Sequence, residues 1–474
     1  MFSIRCISSP PPHAAWCNGG LLCGLLLLVL PVSACINSGE RADTQDALAD
    51  DMEAVLRTQV LDTWYPRAAD QEHGGFLSDF DANWEATGPQ DKLVVTQGRH
   101  TWTTARAARL FPENDSLYLS LATGGTTFLR DHMWDRKHGG FVQRVSRAGE
   151  PQTTSSGAVK GAHEQSYALY GLAAHAATGN EEALQLAKKE FHWIDRHAHD
   201  AEHGGYFQFL ARDGSPFRNG YERTPPKGMN SMLHLLEAYT SLYRVWPDSV
   251  LERRLGETLS LLRDTLITDR NFLRRYADAD WSSPTPQDLL PEDFSSQDSV
   301  EAVRNLARVS FGHNLEAAYL MVDAAEVIGA EQDATRRVAK QLVDHALHHG
   351  WDEEVGGMYN GGYYESTKDS VGLTNTSKSW WVQAEALNAL LLMMREFPDD
   401  ERRYDDRFRK QWAYIKENLI DWERGGWYST GLDVDPASEE ASKGSAWKTT
   451  YHSARALMRG IQGLRSDDSN SFYE

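Results

Sequence analysis

A turn built on two adjacent glycines returns five times along this chain at nearly even spacing. The stretches are EHGGFL from residue 72, KHGGFV from 137, EHGGYF from 202, EVGGMY from 354 and ERGGWY from 423. Their first glycines, Gly74, Gly139, Gly204, Gly356 and Gly425, lie 65, 65, 152 and 69 residues apart. The long interval holds two periods, and RRYADADW (274–281) falls where the missing turn belongs. Self-similarity at a fixed period marks a repeat architecture. A chain of 474 residues would otherwise suggest two or three domains. Here it reads as one body of six repeats, from about residue 50 to 465.

Helical patterns fill the space between the turns. WTTARAARLF, SYALYGLAAHAATG, MLHLLEAYTSLYRVW, LEAAYLMVDAAEVIG, WVQAEALNALLLMMREF and SARALMRGIQGL carry apolar residues at i, i+3, i+4 and i+7. A second helix fits between each of these and the next turn, such as SLYLSLATGGTTFLRDHMW or ERRLGETLSLLRDTLI. The Gly-Gly-aromatic stretches read as tight turns leading into short strands. Twelve helices form either an open solenoid or an all-α (α/α)6 barrel, a ring of six helical hairpins around a central pit with short β-hairpin turns. Six repeats suit the closed ring.

The first 35 residues stand apart. GLLLLVLPVSAC is an apolar run preceded by one basic residue, Arg5, and ended by small residues before Cys35. That order is a secretory signal, and Val32-Ser33-Ala34-Cys35 resembles a bacterial lipobox. The resemblance implies cleavage before Cys35 and a lipid on its sulfur, so the body is expected to be exported and lipid-anchored. Ile36 rather than Asp after the cysteine favours an outer-membrane anchor facing the periplasm. The domain plan is signal peptide 1–35, polar linker 36–50 and barrel 51–465. All four cysteines lie in the signal segment, which leaves the body without disulfides or Cys metal sites. Without Arg5 the body carries 47 Lys and Arg against 68 acids, a net charge of −21. That balance excludes nucleic acid and anionic membrane surfaces as partners and favours a neutral or cationic ligand. The state of assembly is expected to be monomer or dimer.

Each turn is followed at a constant distance by polar or aromatic residues where a core would place apolar ones. Arg99 comes 25 residues after Gly74, and Glu164 comes 25 after Gly139 with His163 beside it. Asn230 and His234 come 26 and 30 after Gly204, Trp381 comes 25 after Gly356 with Glu385 one turn later, and Trp447 and His452 come 22 and 27 after Gly425. His313 and Glu316 open FGHNLEAAYLMVDAAEVIG, three residues apart and so on one face of a helix. Singly, each has a structural explanation: a hydrogen-bonded core histidine, a carboxylate in a first helical turn, an arginine bridging helices. Their common phase carries the functional reading. In a closed ring these helix starts converge on one end of one pit, the expected place of a site. The positive end of a helix also disfavours imidazolium and keeps a histidine able to accept a proton.

At these residues the sequence resembles the N-acylglucosamine 2-epimerase superfamily, nearest to its cellobiose 2-epimerases. TQGRHTW, GMNSMLHLLEAYTSLYRVWPD, FGHNLEAAYLMVDAAEVIG, KSWWVQAEALNALL and WKTTYHSARAL carry the likeness and span the body. The resemblance implies an (α/α)6 barrel and cofactor-free, reversible epimerisation at C2 of a reducing mono- or disaccharide, cellobiose to glucosyl-mannose. It implies that His313 and His452 exchange the C2 proton, that Glu316 supports His313, and that Arg99 and His234 hold the O1/O2 region. By the same likeness Asn230 binds a hydroxyl, Trp381 and Trp447 stack on sugar rings, Glu385 is a sugar-binding acid and Tyr319 grips the second sugar. Tyr319 stands where cellobiose 2-epimerases usually carry Trp, His163 where the family more often has Tyr, and residues 284–305 look like an insertion before His313. The alternatives are a mannose isomerase or mannose 2-epimerase, an (α/α)6 glycoside hydrolase, and a glycan-binding lipoprotein. No metal is expected, since H-x-x-E at 313–316 supplies only two ligands.

Overall fold

The computed structural model describes residues 33–152, 159–290, 295–364 and 370–466, with side chains from Thr44 onward. The apolar run of the expected signal lies outside the described residues, and of Cys35 only the backbone is described. Among the described residues no helix is long and apolar enough to cross a membrane. The chain divides into two compact units, residues 1–45 and 46–474. Residues 36–50, expected as a polar linker, belong to helix α1, Ser33–Val55. Ala49 is already fully buried, so the second unit takes in the end of the expected linker.

Twelve further long helices follow. They are α2 (Val94–Leu110), α3 (Asp115–Phe128), α4 (Ala162–Ala176), α5 (Glu181–His197), α6 (Met229–Val245), α7 (Ser249–Leu261) and α8 (Ser296–Leu306). After them come α9 (Phe311–Val327), α10 (Gln332–Gly350), α11 (Trp380–Glu396), α12 (Tyr404–Asn418) and α13 (Tyr451–Arg465). Helices α2, α4, α6, α9, α11 and α13 each pack on the next, and α13 returns to α2, which closes an inner ring. The others, α8 excepted, form the outer layer. The fold is the expected (α/α)6 barrel. Inner helices are covered on nearly every side: 14 of the 17 residues of α2 are buried, against 7 of 17 in outer helix α5. This suits the apolar, weakly amphipathic sequences of α4, α9 and α11, whereas α13 stays strongly amphipathic.

The ring is sealed by the two ends of the chain. The outer partner of α13 is the π-helical segment Leu56–Leu61 that continues α1. Arg465 at the end of α13 pairs with Asp50 and Glu53 on α1, each at 2.6 Å. The hairpins are therefore offset from the sequence repeats by one helix, and the first helix completes the last pair.

The Gly-Gly turns owe their shape to both glycines lying at positive φ, such as +71° and +69° at Gly204 and Gly205. An aspartate four residues before the first glycine caps each turn, as Asp200 does by accepting from the Glu202 N–H at 3.1 Å. A buried lysine from just before an inner helix then reaches back over the turn. Lys227 donates to Asp200 at 2.7 Å and to the Gly204 and Ala279 carbonyls at 2.8 and 2.6 Å. Lys92–Asp70, Lys160–Asp135, Lys378–Asp352 and Lys443–Asp421 repeat the pair. Aromatic rings floor the turns, with Trp193 against Gly139 and Gly140, Trp281 against Gly205 and Trp84 against Gly426.

The fourth turn differs from expectation. It lies at Thr268–Phe272, with Asn271 at φ +59° in place of glycine. RRYADADW instead contributes the strand Tyr276–Ala277, which pairs with Lys227–Gly228. Val309, fully buried, stands two residues before α9, where α2, α4, α6 and α11 have lysine. The expected insertion forms a 3-10 turn at Pro286–Leu289 and helix α8. It leads into a three-stranded sheet of Arg308–Ser310, Gly361–Tyr364 and Val371–Asn375.

Replacing Lys227 by Met leaves the Asp200 carboxylate buried without its cation, which costs about 3 kcal/mol. Urea denaturation is expected to show that loss, and an unchanged midpoint would count against the clamp.

Candidate active site

The starts of the six inner helices converge on a cavity of about 340 Å³. Arg99 from α2, Asn230 and His234 from α6, His313 and Glu316 from α9, Trp381 from α11 and His452 from α13 line it, with Trp447 ahead of α13. Two predicted residues do not. Glu385 is fully buried behind His452, and Tyr319 is fully buried and turned toward a second cavity at the other end of the barrel.

Close backbone packing sets the first contacts. A Cβ on Gly98 would lie 2.2 Å from the Tyr167 carbonyl, so α2 and α4 touch there only because the residue is glycine. That approach lets Arg99 donate to the Tyr167 hydroxyl at 2.8 Å, while its other arm donates to the Trp447 carbonyl at 2.9 Å. Arg99 bridges helices and lines the cavity at once. Trp447 is 52% exposed at the lip, and Trp381 lies between two imidazoles, 4.9 Å from His313 and 5.8 Å from His452 by ring centroids.

Three of the four histidines on the cavity have a fixed partner on Nδ1, while His163 has only Glu164 at 3.8 Å. His452 meets Glu385 Oε1 at 2.6 Å, His234 meets Glu237 Oε2 at 3.1 Å, and His313 meets the Ser310 hydroxyl at 2.7 Å. This corrects three expectations. Glu316 does not hold His313; it accepts from Arg455 at 2.6 Å, because the two residues that bracket His313 are a hydroxyl at i−3 and a carboxylate drawn to a buried cation. Glu385 supports His452 instead of facing a sugar, and Tyr319 donates to Glu385 at 2.6 Å instead of gripping a ligand. Ser310, Glu237, Tyr167, Tyr451 and Arg455 were not foreseen. The signal for Glu237 was present: His234 and Glu237 repeat the three-residue spacing of His313 and Glu316.

Burial governs the charges. Desolvation, then the neighbouring His234, His452 and His163, push His313 down to about 3. Desolvation pushes His452 down to about 4 even though Glu385 opposes it. His234 and His163 move in the same direction for the same first reason. Burial alone would raise Glu237 and Glu385, but Arg455 and the adjoining histidines hold both below the usual carboxylate range. Glu316 goes up, through burial and then the charge of Glu385. The Asn230 side-chain oxygen has no partner among the described residues, an open acceptor in the cavity wall. The cavity thus offers imidazoles, one guanidinium, the carboxyls of Glu164 and Glu316, and the indoles of Trp380, Trp381 and Trp447. Between Glu316 and Glu385, where a metal ion would sit, the Arg455 guanidinium already bonds both.

The sequence profile of N-acylglucosamine 2-epimerase (GlcNAc 2-epimerase) matches residues 74–456. The chain belongs to this family. It is 30% identical to the cellobiose 2-epimerase of Bacteroides fragilis over 423 residues, covering 87% of this chain and 98% of that one. It is 24% identical to the D-mannose isomerase of Marinomonas mediterranea over 429 residues, 88% and 98% of the two chains. The solved cellobiose 2-epimerase of Bacillus thermoamylovorans superposes with a TM-score of 0.74 at 23% identity, covering 88% of this chain and 99% of that one. Like other members of the N-acylglucosamine 2-epimerase family, the chain is a carbohydrate epimerase of the isomerase class.

The depressed histidines have a measurable consequence. The unfolded chain takes up protons on them near pH 6.5, the folded chain only near 3 for His313 and near 4 for His452. Stability is therefore expected to fall as pH drops below 6.5. Imidazole nitrogen NMR is expected to show both rings neutral at pH 6, and a protonated ring there would contradict this electrostatic picture.

Proposed function

We propose that the chain interconverts the C2 epimers of a reducing β-1,4-linked disaccharide, cellobiose to glucosyl-mannose, by proton exchange through His313 and His452. The observation that carries the reading is the pair of neutral imidazoles on one small cavity, His452 buried and His313 half-buried, each with Nδ1 occupied and so with Nε2 left for a substrate. The C2 proton of an open-chain aldose is acidic because the adjoining carbonyl stabilises an enediolate. One neutral imidazole removes the C2 proton and becomes imidazolium; the other, after taking up a solvent proton, delivers it to the opposite face, and the first then releases its proton to solvent. Arg99, with the fixed donor fork of a guanidinium, is suited to hold the developing oxyanion. Asn230 offers an acceptor to a sugar hydroxyl, and Trp447 at the lip offers a stacking face to the second ring.

A second reading has its own support. The likeness to a D-mannose isomerase fits the same histidines passing the proton to C1 of a monosaccharide. A glycoside hydrolase is disfavoured, because it needs two free carboxyls as acid and base: of Glu164, Glu316 and Glu385, Glu385 is bound to Arg455 and His452 and Glu316 to Arg455, which leaves Glu164 alone on the cavity wall. We also infer export and lipid anchoring through Cys35, with no reliance on the barrel. Cys35→Ser is expected to move the protein from the membrane to the soluble fraction of expressing cells, and retention in the membrane would refute the anchor.

Proton NMR with cellobiose in D2O tests the activity. Loss of the C2 proton with growth of a glucosyl-mannose signal is expected, and His313→Asn or His452→Asn is expected to slow it about 10³-fold. Ketose formation from mannose without reaction of cellobiose would favour the isomerase. Undiminished exchange in either variant would end the two-histidine scheme.

A further inference from the structure

Beneath the cavity a single guanidinium is ringed by three carboxylates from three inner helices. Arg455 on α13 donates through Nη1 to Glu237 on α6. Its Nη2 donates to Glu316 on α9 at 2.6 Å and to Glu385 on α11 at 2.7 Å. All four side chains are buried. Two of the acids have other duties. Glu237 also meets His234 and accepts from the Tyr451 hydroxyl. Glu385 also meets His452 and accepts from Tyr319 and Asn388. Glu316 is tied among the described residues to Arg455, and it is the one acid of the three that lines the cavity.

We propose that Arg455 is a positioning residue that fixes the carboxylates behind His234 and His452 and, with its charge committed to them, leaves Glu316 as a neutral acid donating a hydrogen bond to a substrate oxygen. The substrate half of this rests on the epimerase reading; the charge half does not. Three carboxylates on one cation in a site poor in water do not all ionise, for the same reason that a close carboxylate pair shares a proton. The groups facing Glu316 are His313 and Tyr319 on its own helix, Glu385 on α11, His452 and Arg455 on α13, Glu237 and His234 on α6, and Tyr167 on α4. With the imidazoles neutral, Arg455 is the one cation bonded to these acids; Arg99 on α2 lines the same cavity but donates to the Tyr167 hydroxyl and the Trp447 carbonyl. Glu237 and Glu385 hold theirs through extra donors, so the proton falls to Glu316. The upward shift of Glu316 and the downward shifts of the other two agree with this allocation. A neutral carboxyl is a donor, and a donor is what an enediolate oxygen requires.

Infrared difference spectroscopy at neutral pH tests the charge without any substrate. Wild type minus Glu316→Gln is expected to show the carbonyl band of a protonated carboxyl. Glu190, buried without a partner among the described residues, should hold a proton in both proteins and cancel. Absence of the band would overturn the proposal by showing Glu316 ionised. Arg455→Lys, checked for folding by near-UV circular dichroism, tests positioning. It keeps the charge but cannot reach three acids. Expected are a fall in kcat of at least about tenfold, KM within about threefold, and an acid limb of kcat/KM raised by about one pH unit as Glu237 and Glu385 lose their cation. A fall in kcat with an unmoved limb would reduce Arg455 to a structural part and overturn its positioning role. A protein with the band but no action on any sugar would fail the epimerase reading alone.

Discussion

The barrel depends on a buried lysine that reaches back over its own turn. Burying an ammonium is costly unless it is paired and its protons are satisfied. Here an aspartate and glycine carbonyls do both, at distances such as 2.7 and 2.8 Å for Lys227. Lys92, Lys160, Lys227 and Lys378 each stand two residues before an inner helix. Fixing the lysine therefore fixes where that helix begins. Four helix starts are brought to a common height, and residues one to two turns further on meet in the same cavity. The chemistry of the site is a consequence of how the turns are stapled.

The site then exploits the water exclusion that a twelve-helix wall creates. Desolvation is the largest influence on His313, His452 and Glu316 alike. It pushes bases and acids the same way, toward neutrality. The charges that survive are those with several specific partners: Arg455 with three acids, Glu385 with Arg455, His452, Tyr319 and Asn388. Networks of this kind reward completeness, since a buried polar group left half-satisfied costs more than it contributes. That is why Tyr319 and Glu385 can lie outside the cavity and still shape what lines it.

Periodicity made the architecture legible before any coordinates. The spacing of Gly74, Gly139, Gly204, Gly356 and Gly425 located the repeats, and the phase of Arg99, Asn230, His313, Trp381 and His452 located the site. What phase could not supply was the direction of side chains within a turn of helix. Glu385 and Trp381 are one helical turn apart, yet one faces the cavity and the other faces Arg455. Glu316 sits three residues from His313 and points elsewhere, because a buried guanidinium outcompetes a neutral imidazole for a carboxyl. Arg455 escaped notice since a lone arginine inside an amphipathic pattern looks like a solvated one. The aspartate–lysine clamp is equally readable, with Asp four residues ahead of each glycine pair. Gly-Gly was the wrong marker for the fourth turn, where Asn271 takes the positive φ, 67 residues after Gly204 and so ahead of RRYADADW.

That fourth repeat shows what the clamp does by lacking it. Glycine pair and lysine disappear together, as they must, because a lysine without the turn's carbonyls would be a buried cation with too few acceptors. Val309 fills the space at no electrostatic cost. The start of α9 is held by strand pairing alone, Val309 to Gly362 and Ser310 to Gly361, where Lys92, Lys160 and Lys227 combine a strand pair with the clamp. That strand also supplies the Ser310 hydroxyl on Nδ1 of His313. The same strand is joined through Ala307 to inserted helix α8. The repeat that departs most from the pattern is thus the one that carries His313. Its histidine leans on a neutral hydroxyl where His234 and His452 lean on carboxylates. A carboxylate partner stabilises an imidazolium and a hydroxyl does so less, so the two histidines proposed to share the C2 proton are not equivalent in the empty site.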